Sequence, residues 1–195
     1  THSKSSAASD VYKRQILHRA ISKGDYTSKK VSETFSPSMD IQLASNFERL
    51  IFEIQGRNSD KTKNIMAKVK ENNYKLDETS LNKINKDFLS EKLNEDETIN
   101  QIKEVFKNHS IVLDPHTAIG YGVAKKLKQD NSCVILSTAH PSKFPEAIKN
   151  ALGKNEELPP ELRNVLKEEE KFEILENSLD PVSYTHLRAH ETDLN

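Results

Sequence analysis

Two short apolar segments in the second half of the chain most constrain its fold. Residues 110–113 and 133–136 read SIVL and CVIL, and a helical pattern follows each of them. Short continuous apolar segments are typical of strands buried on both faces, and strands that alternate with helices form parallel sheets. Residues 109–180 therefore predict strand–helix–strand–helix, with a further strand at 172–175. The expected fold class is α/β, a partial parallel sheet with flanking helices.

The first half of the chain, residues 16–108, is expected to be mainly helical. Its apolar residues recur every three and four positions, which is the period of an amphipathic helix. Gly24 is expected to end the first helix and Asp40 to cap a second one. In chain order, the predicted helices are 16–26, 40–56, 59–72, short helices within 74–94, 95–108, 116–128, 144–152 and 160–171. Gly120 and Gly122 lie inside the predicted helix 116–128, and each is expected to weaken that helix by up to about 1 kcal/mol relative to alanine.

Composition excludes several classes of protein. The net charge is −1, which argues against nucleic-acid binding through bulk electrostatics. No apolar stretch approaches the roughly 18 residues of a membrane-spanning helix, so no membrane partner is expected. The single cysteine, Cys133, rules out an internal disulfide framework and fits a reducing compartment, so a cytoplasmic location is expected.

The two terminal segments carry patterns of a different origin. The segment VSYTHLRAHET (182–192) places His186 and His190 at the i, i+4 spacing of two metal ligands. Its back-translation, however, resembles a transposase sequencing adapter, and that of SSAASDVYKRQ (5–15) resembles the partner adapter. We therefore expect 1–15 and 181–195 to be disordered adapter scars. No metal site is expected, and 16–180 remains as the biological part.

Two polar segments are the candidate binding region. DPHTA (114–118) and STAHP (137–141) each follow a predicted strand and precede a helix, and both contain hydroxyls and a histidine beside a proline. In open parallel sheets, ligands bind at the carboxyl ends of the strands. Helix capping and loop rigidity explain the same residues equally simply, so the residues alone leave both interpretations open.

Four ordered segments resemble threonine synthase. They are LHRAISKGDY (17–26), SPSMDIQLASNFERL (36–50), DPHTAIGYG (114–122) and STAHPSKFPEA (137–147). The resemblance covers essentially all of 16–180 and corresponds to the C-terminal part of the enzyme. It implies a fold type II enzyme dependent on pyridoxal 5'-phosphate (PLP). The implied reaction converts O-phospho-L-homoserine and water to L-threonine and phosphate by elimination and β-addition of water.

The resemblance also implies roles for individual residues. Thr138 matches the hydroxyl residue that faces the pyridine nitrogen of PLP, so it is the expected cofactor-binding residue. Asp114 and His116 match a block at the neighbouring strand end and are candidate pocket-lining residues, with helix capping as the alternative for Asp114. His140 and Lys143 belong to the same block as Thr138, and they either line the pocket or lie in a solvated loop.

Two features of the family are absent from the sequence. The Schiff-base lysine of the family lies in a Ser-Phe-Lys-Asp setting that does not occur here, and the five glycines form no phosphate-binding cluster. The chain alone is therefore expected to be inactive and to bind PLP poorly. One alternative is a non-catalytic binding module of the same family. Another is a different fold type II lyase, related to tryptophan synthase β or cysteine synthase, although SPSMDI and STAHPSKF argue against it.

Overall fold

The computed structural model describes residues 5–6, 10–11, 16–29, 33–71, 74–127, 133–164, 167–170, 172 and 174. The chain divides into two compact units, residues 1–157 and 158–195. The described part of the first unit is helix-rich, as the sequence predicts. Its α-helices are α1 (Ile16–Lys23), α2 (Ser45–Ile54), α3 (Ser59–Lys70), α4 (Glu78–Asp87), α5 (Glu95–His109), α6 (Pro115–Leu127) and α7 (Pro145–Leu152).

The first four helices pack around one hydrophobic core. α1 contacts α4, and α2 contacts both α3 and α4. Their apolar faces meet because the side chains recur at helical spacing. The buried members of this core are Ile16, Ala20, Ile21, Tyr26, Phe47, Ile51, Met66, Val69, Leu76 and Ile84.

The end of α1 shows why a glycine is required there. Gly24 has a φ of +69°, the left-handed conformation that closes many helices. A Cβ at this position would also lie 3.0 Å from the carbonyl oxygen of Leu76, which is a close approach to backbone. The prediction that Gly24 ends the first helix is therefore confirmed.

The expected start of the second helix at Asp40 is wrong. A short 3-10 helix occupies Pro37–Met39, and α2 begins only at Ser45, after Ala44 as N-cap. The Asp40 carboxylate instead accepts hydrogen bonds from the backbone N–H and the hydroxyl of Thr34, at 3.0 and 2.6 Å. Because Thr34 already donates two bonds to it, this carboxylate stabilises the loop before α2.

Two further hydrophobic cores lie around α5, α6 and α7. α5 packs against both α6 and α7, and α6 packs against residues 92–93. The larger core comprises Ile99, Ile102, Ala118, Ala147, Ile148 and Ala151, and the smaller comprises Leu93, Ile119 and Val123. The candidate site residues lie at the start of α6, in residues 114–116, and in the segment before α7, in residues 138–143.

The start of α5 is fixed by a capping box. The Asn94 side chain accepts from the N–H of Glu97 at 2.8 Å, and the Glu97 carboxylate accepts from the N–H of Asn94 at 2.7 Å. This reciprocal pair satisfies two of the backbone donors that every helix N-terminus leaves without partners.

We expect Asn94→Ala to lower the free energy of unfolding by about 1 kcal/mol, because the N–H of Glu97 loses its acceptor. Chemical denaturation followed by circular dichroism measures this change. Asn58→Ala is the matched control, since the Asn58 side chain caps the exposed start of α3 by accepting from the Lys61 N–H, and Lys61 has no carboxylate to return the bond. A loss at Asn94 smaller than the loss at Asn58 would contradict the importance of the capping box.

The two predicted strands at 110–113 and 133–136 are not strands in the structure. Both segments lack ladder hydrogen bonds, and Ser110 adopts a left-handed conformation that ends α5. Val134 and Leu136 are 87% and 78% exposed, so the expected burial of that segment on both faces is also wrong. A strand requires a neighbouring strand, and within the described residues no segment pairs with either of these two.

Parallel pairing occurs elsewhere, in two ladders of two residues per strand. β1 (Ser5–Ser6) pairs with β3 (Phe88–Leu89), and β2 (Asp10–Val11) pairs with β4 (Lys92–Leu93). These four residues pair in the structure, and the expectation that 1–15 is disordered stays a prediction. Strand pairing uses backbone groups, so an unpaired strand edge can accept a segment of almost any sequence.

The expected helix over 160–171 is wrong in its described part. A 3-10 helix at Pro160–Leu162 is found in its place, in the second unit. The strand expected at 172–175 falls mostly outside the described residues, as do 181–195 with His186 and His190. None of the helices in the described residues has the length and apolar character that crossing a membrane requires.

Candidate functional site

The candidate site is centred on the buried carboxylate of Asp114. This residue follows residues 110–113, which come after α5, and directly precedes Pro115, the first residue of α6. It is 1% exposed and accepts from the N–H groups of His116 and Thr117, at 3.0 and 3.4 Å. Asp114 therefore caps α6, as the simpler interpretation of the sequence predicts.

Two side chains also donate to this carboxylate, which a simple cap does not require. Nδ1 of His116 lies 3.0 Å from Oδ1 of Asp114, and the Thr117 hydroxyl donates to Oδ2. The Ser38 N–H donates to Nε2 of His116 at 3.3 Å. Because a backbone N–H can only donate, Nε2 carries the lone pair and Nδ1 carries the proton. His116 is thus held as one neutral tautomer between Ser38 and Asp114.

The hydrogen bonds decide the charge state of Asp114. Burial by itself raises the pKa of this carboxyl, because a charge is costly away from water. The bonds from the His116 and Thr117 side chains and then from their backbone N–H groups lower it, and they outweigh burial. The net pKa lies below the ordinary value of 3.8, so Asp114 is an ionised acceptor at neutral pH.

Thr117 connects Asp114 to the second polar segment. Its hydroxyl oxygen accepts from the N–H of Thr138 at 3.1 Å while its proton points to Asp114. Thr138 itself is an exposed residue. The structure therefore brings together three of the predicted site residues, Asp114, His116 and Thr138.

The other two predicted site residues lie on the turn that follows Thr138. Nδ1 of His140 accepts from the N–H of Ser142 at 3.2 Å and lies 2.7 Å from the Ser142 hydroxyl, so it caps the 3-10 helix Pro141–Lys143. Lys143 ends that helix and is exposed. Phe144 then packs its ring against His116, with 4.9 Å between centroids. This ring contact joins the turn to the Asp114 cluster.

Two members of the cluster were missed from the sequence. The sequence singles out Thr117 only as one hydroxyl of the segment DPHTA, and Ser38 takes part through its backbone N–H. A hydroxyl three residues after an N-cap aspartate lies on the first turn of the helix beside that carboxylate, and this spacing could have identified Thr117. No side-chain signal could identify a backbone N–H such as that of Ser38.

The described residues contain no cluster of histidine, cysteine, aspartate and glutamate that could hold a metal ion. Cys133 is exposed there and has no disulfide partner.

Comparison with known proteins decides the family. Residues 117–184 match the family model "Threonine synthase, C-terminal". Threonine synthase of Pseudomonas aeruginosa is 36% identical over 174 residues, which cover 87% of this chain. The chain belongs to the threonine synthase family. It spans 37% of the length of that relative.

Solved structures of the threonine synthase family share the fold. The crystal structure of PLP-bound threonine synthase from Brucella melitensis aligns with a TM-score of 0.74 at 39% identity, covering 87% of this chain and 37% of that one. The yeast threonine synthase structure aligns with a TM-score of 0.76 at 30% identity, covering 93% of this chain and 41% of that one. The recognition of threonine synthase from four sequence segments is thereby confirmed.

Proposed function

We propose that this chain supplies the C-terminal part of a PLP-dependent threonine synthase. In the complete enzyme, O-phospho-L-homoserine and water would be converted to L-threonine and phosphate. The proposal is supported by the similarity to threonine synthases, one of them solved with PLP bound. We also place the enzyme in the cytoplasm, where a single unpaired thiol such as Cys133 is expected to stay reduced.

The observation that carries the proposal is the convergence of three family segments on Asp114. The segment beginning SPSMD contributes the N–H of Ser38, DPHT contributes Asp114, His116 and Thr117, and STAHP contributes Thr138. These segments are far apart in the sequence, yet one buried carboxylate links them. A helix cap alone would need only the backbone N–H groups of α6. The additional hydrogen bonds through His116 and Thr117 therefore fit a region that positions the segment carrying Thr138.

Thr138 is the residue that fits the cofactor. Its hydroxyl can donate to a neutral pyridine nitrogen, whereas a carboxylate in that position would hold the nitrogen protonated. PLP, when bound, supplies the delocalisation that stabilises a carbanion. A neutral hydroxyl partner moderates that electron withdrawal, which suits elimination better than transamination. Thr138 would therefore orient the ring and set its protonation state.

The other candidate residues have different positions relative to this hydroxyl. Asp114 and His116 are both buried, so in this proposal they support the pocket from behind. His140 and Lys143 lie on the turn after Thr138, and we propose that they line the rim of the pocket. The exposed ammonium of Lys143 could attract the phosphate of the substrate.

The chain by itself is proposed to be inactive. Its sequence has no lysine in the Ser-Phe-Lys-Asp setting and no glycine cluster for the cofactor phosphate. The residues present therefore fit the pyridine-nitrogen side of PLP and leave the covalent anchor and the phosphate cradle to the rest of the enzyme.

A grafted enzyme tests this proposal. In it, residues 16–180 of this chain replace the matched segment of the Pseudomonas aeruginosa threonine synthase. We expect the grafted enzyme to bind PLP and to form threonine from O-phospho-L-homoserine, while the isolated chain forms none. A grafted enzyme that folds and binds PLP but forms no threonine would contradict the proposed function.

A further inference from the structure

We propose that Thr117 is a positioning residue that orients Thr138 through a single hydroxyl. Only the role of Thr138 toward PLP rests on the proposed function, since the link between the two threonines is a feature of this chain. Thr117 would not touch substrate or cofactor. It would act by fixing the backbone from which the Thr138 side chain projects.

The direction of each hydrogen bond around Thr117 is determined by its partners. An ionised carboxylate can only accept, so the single proton of the Thr117 hydroxyl points to Oδ2 of Asp114. A backbone N–H can only donate, so the Thr138 N–H points to the Thr117 oxygen, at 3.1 Å. The hydroxyl therefore donates and accepts at once, which Val, of nearly the same shape, cannot do.

The position of Thr138 explains why such a link matters. Residues 133–138 form no strand ladder with any described segment, and Val134 and Leu136 are largely exposed. Burial therefore does little to fix this segment close to Thr138. Thr117 lies in the first turn of a well-packed helix and is 5% exposed, so its hydroxyl is a rigid acceptor. The bond ties a loosely packed segment to a rigid one beside the proposed cofactor contact.

The hydrogen bond between Thr117 and Thr138 also restricts the orientation of the Thr138 side chain. Thr138 N–H and its side chain share one Cα, so fixing the N–H limits the directions in which the hydroxyl can point. A hydroxyl that must meet one ring nitrogen benefits from this restriction, because less conformational freedom is lost on binding. We expect loss of the link to widen the range of Thr138 conformations without unfolding the chain.

Solvent exchange of backbone amides, measured by NMR on the full 195-residue chain, tests the link. Thr117→Val should speed exchange of the Thr138 N–H by about fivefold, the factor expected for one lost hydrogen bond. Thr117→Ser should retain the exchange of the unsubstituted chain, since it keeps the hydroxyl. If Thr117→Val does not fold, Thr117→Cys gives the same test with a side chain of similar size and a weak acceptor.

Thr98→Val is the matched control for a general effect of removing a buried threonine hydroxyl. Thr98 is 3% exposed in the first turn of the neighbouring helix α5, and its hydroxyl donates to the Asn94 carbonyl at 2.8 Å. We expect this substitution to leave Thr138 exchange unchanged. Equal effects of Thr98→Val and Thr117→Val, or loss of Thr138 protection in Thr117→Ser, would overturn the proposal.

The test separates this proposal from the proposed function. The exchange measurement needs no cofactor and no activity, so it reports on the link alone. Unchanged Thr138 exchange in Thr117→Val would overturn the positioning role even if the grafted enzyme is active. Faster exchange in Thr117→Val, together with a grafted enzyme that folds and binds PLP but forms no threonine, would uphold the link and contradict the proposed function.

Discussion

Replacing Asp114 with alanine is expected to lower the free energy of unfolding by about 3–5 kcal/mol. The change removes the acceptor of four donors, which are the N–H groups of His116 and Thr117, Nδ1 of His116 and the Thr117 hydroxyl. The site is 1% exposed, so water cannot easily replace the carboxylate. Urea denaturation followed by circular dichroism measures the loss.

Asp77→Ala is the control for this substitution. Asp77 also accepts from a backbone N–H and a hydroxyl in the first turn of a helix, both from Ser80, but it is exposed. We expect a loss of about 1 kcal/mol there, since water can satisfy the released donors. If Asp114→Ala does not fold, Asp114→Asn keeps one acceptor oxygen and should give an intermediate loss. Equal losses at Asp77 and Asp114 would contradict the central role of Asp114.

The same carboxylate predicts a pH dependence of stability. The pKa of Asp114 is lowered from 3.8 in the folded chain, so the folded state binds the proton more weakly than the unfolded state does. Its contribution is complete above pH 3.8 and is lost as the pH falls through the lowered pKa. As the pH falls from 3.8 through the lowered pKa, stability should therefore fall less steeply in Asp114→Asn than in the unsubstituted chain. Parallel curves would contradict the assignment.

Gly122→Ala is expected to destabilise the chain, although alanine is the better helix former. A Cβ at Gly122 would lie 2.5 Å from Cδ2 and 3.1 Å from Cδ1 of Leu93, which is 3% exposed. Leu93 would have to leave its position in the core, at a cost of about 1–3 kcal/mol for overpacking. This cost exceeds the gain of up to about 1 kcal/mol in helix propensity. Thermal and urea denaturation measure the net loss.

Gly120→Ala provides a control within the same helix. A Cβ at Gly120 would meet Cγ2 of Ile135 at 3.5 Å, an ordinary contact. We expect this change to stabilise the chain by up to about 1 kcal/mol, so the two glycines should respond with opposite signs. Combining Gly122→Ala with Leu93→Ala should remove the clash and abolish the cost of the Gly122 change. A Gly122 effect that persists in that pair would contradict the steric explanation.

The helices were predictable because their signals are local. Gly24 directly follows α1, and the apolar residues that predict α2 lie within that helix, so each signal is close to the element it predicts. The start of α2 was placed too early at Asp40, because the competing partner, Thr34, lies outside the helix. Boundaries depend on which of several nearby donors a polar side chain meets, and sequence alone does not decide that.

The strands were mispredicted because strand formation is not local. The segment 133–136 has the apolar composition of a buried strand, yet no described segment pairs with it, and its Val134 and Leu136 side chains are exposed. Conversely, β3 (Phe88–Leu89) and β4 (Lys92–Leu93) lie in a polar segment that was predicted to be helical. Composition shows what a segment can form, and its neighbours decide whether it does.

The adapter interpretation of 1–15 and 181–195 stays a prediction. Four residues of the first segment pair with β3 and β4, and the family match extends to residue 184. Sequencing the source DNA across residues 15–16 and 180–181 tests the interpretation. Genomic DNA that itself encodes SSAASDVYKRQ would show it to be wrong.

The candidate site was partly predictable. The resemblance to the family groups Asp114, His116 and Thr138, and hydrogen bonds link these residues in the structure, while their roles toward PLP stay predictions. It could not show that one hydroxyl, that of Thr117, links the two segments. It also could not show the contribution of the Ser38 N–H, which any residue at that position would supply.

In the proposed enzyme the Thr138 hydroxyl donates a hydrogen bond to the pyridine nitrogen of PLP, and the kinetics of the grafted enzyme test this role. We expect Thr138→Val to lower kcat/KM for O-phospho-L-homoserine by about tenfold or more, because a hydrogen bond to the cofactor ring is lost. Thr138→Ser should retain most of the activity and should resemble the unsubstituted grafted enzyme in its cofactor absorbance. A Thr138→Val enzyme with bound PLP and unchanged kcat/KM would contradict this role.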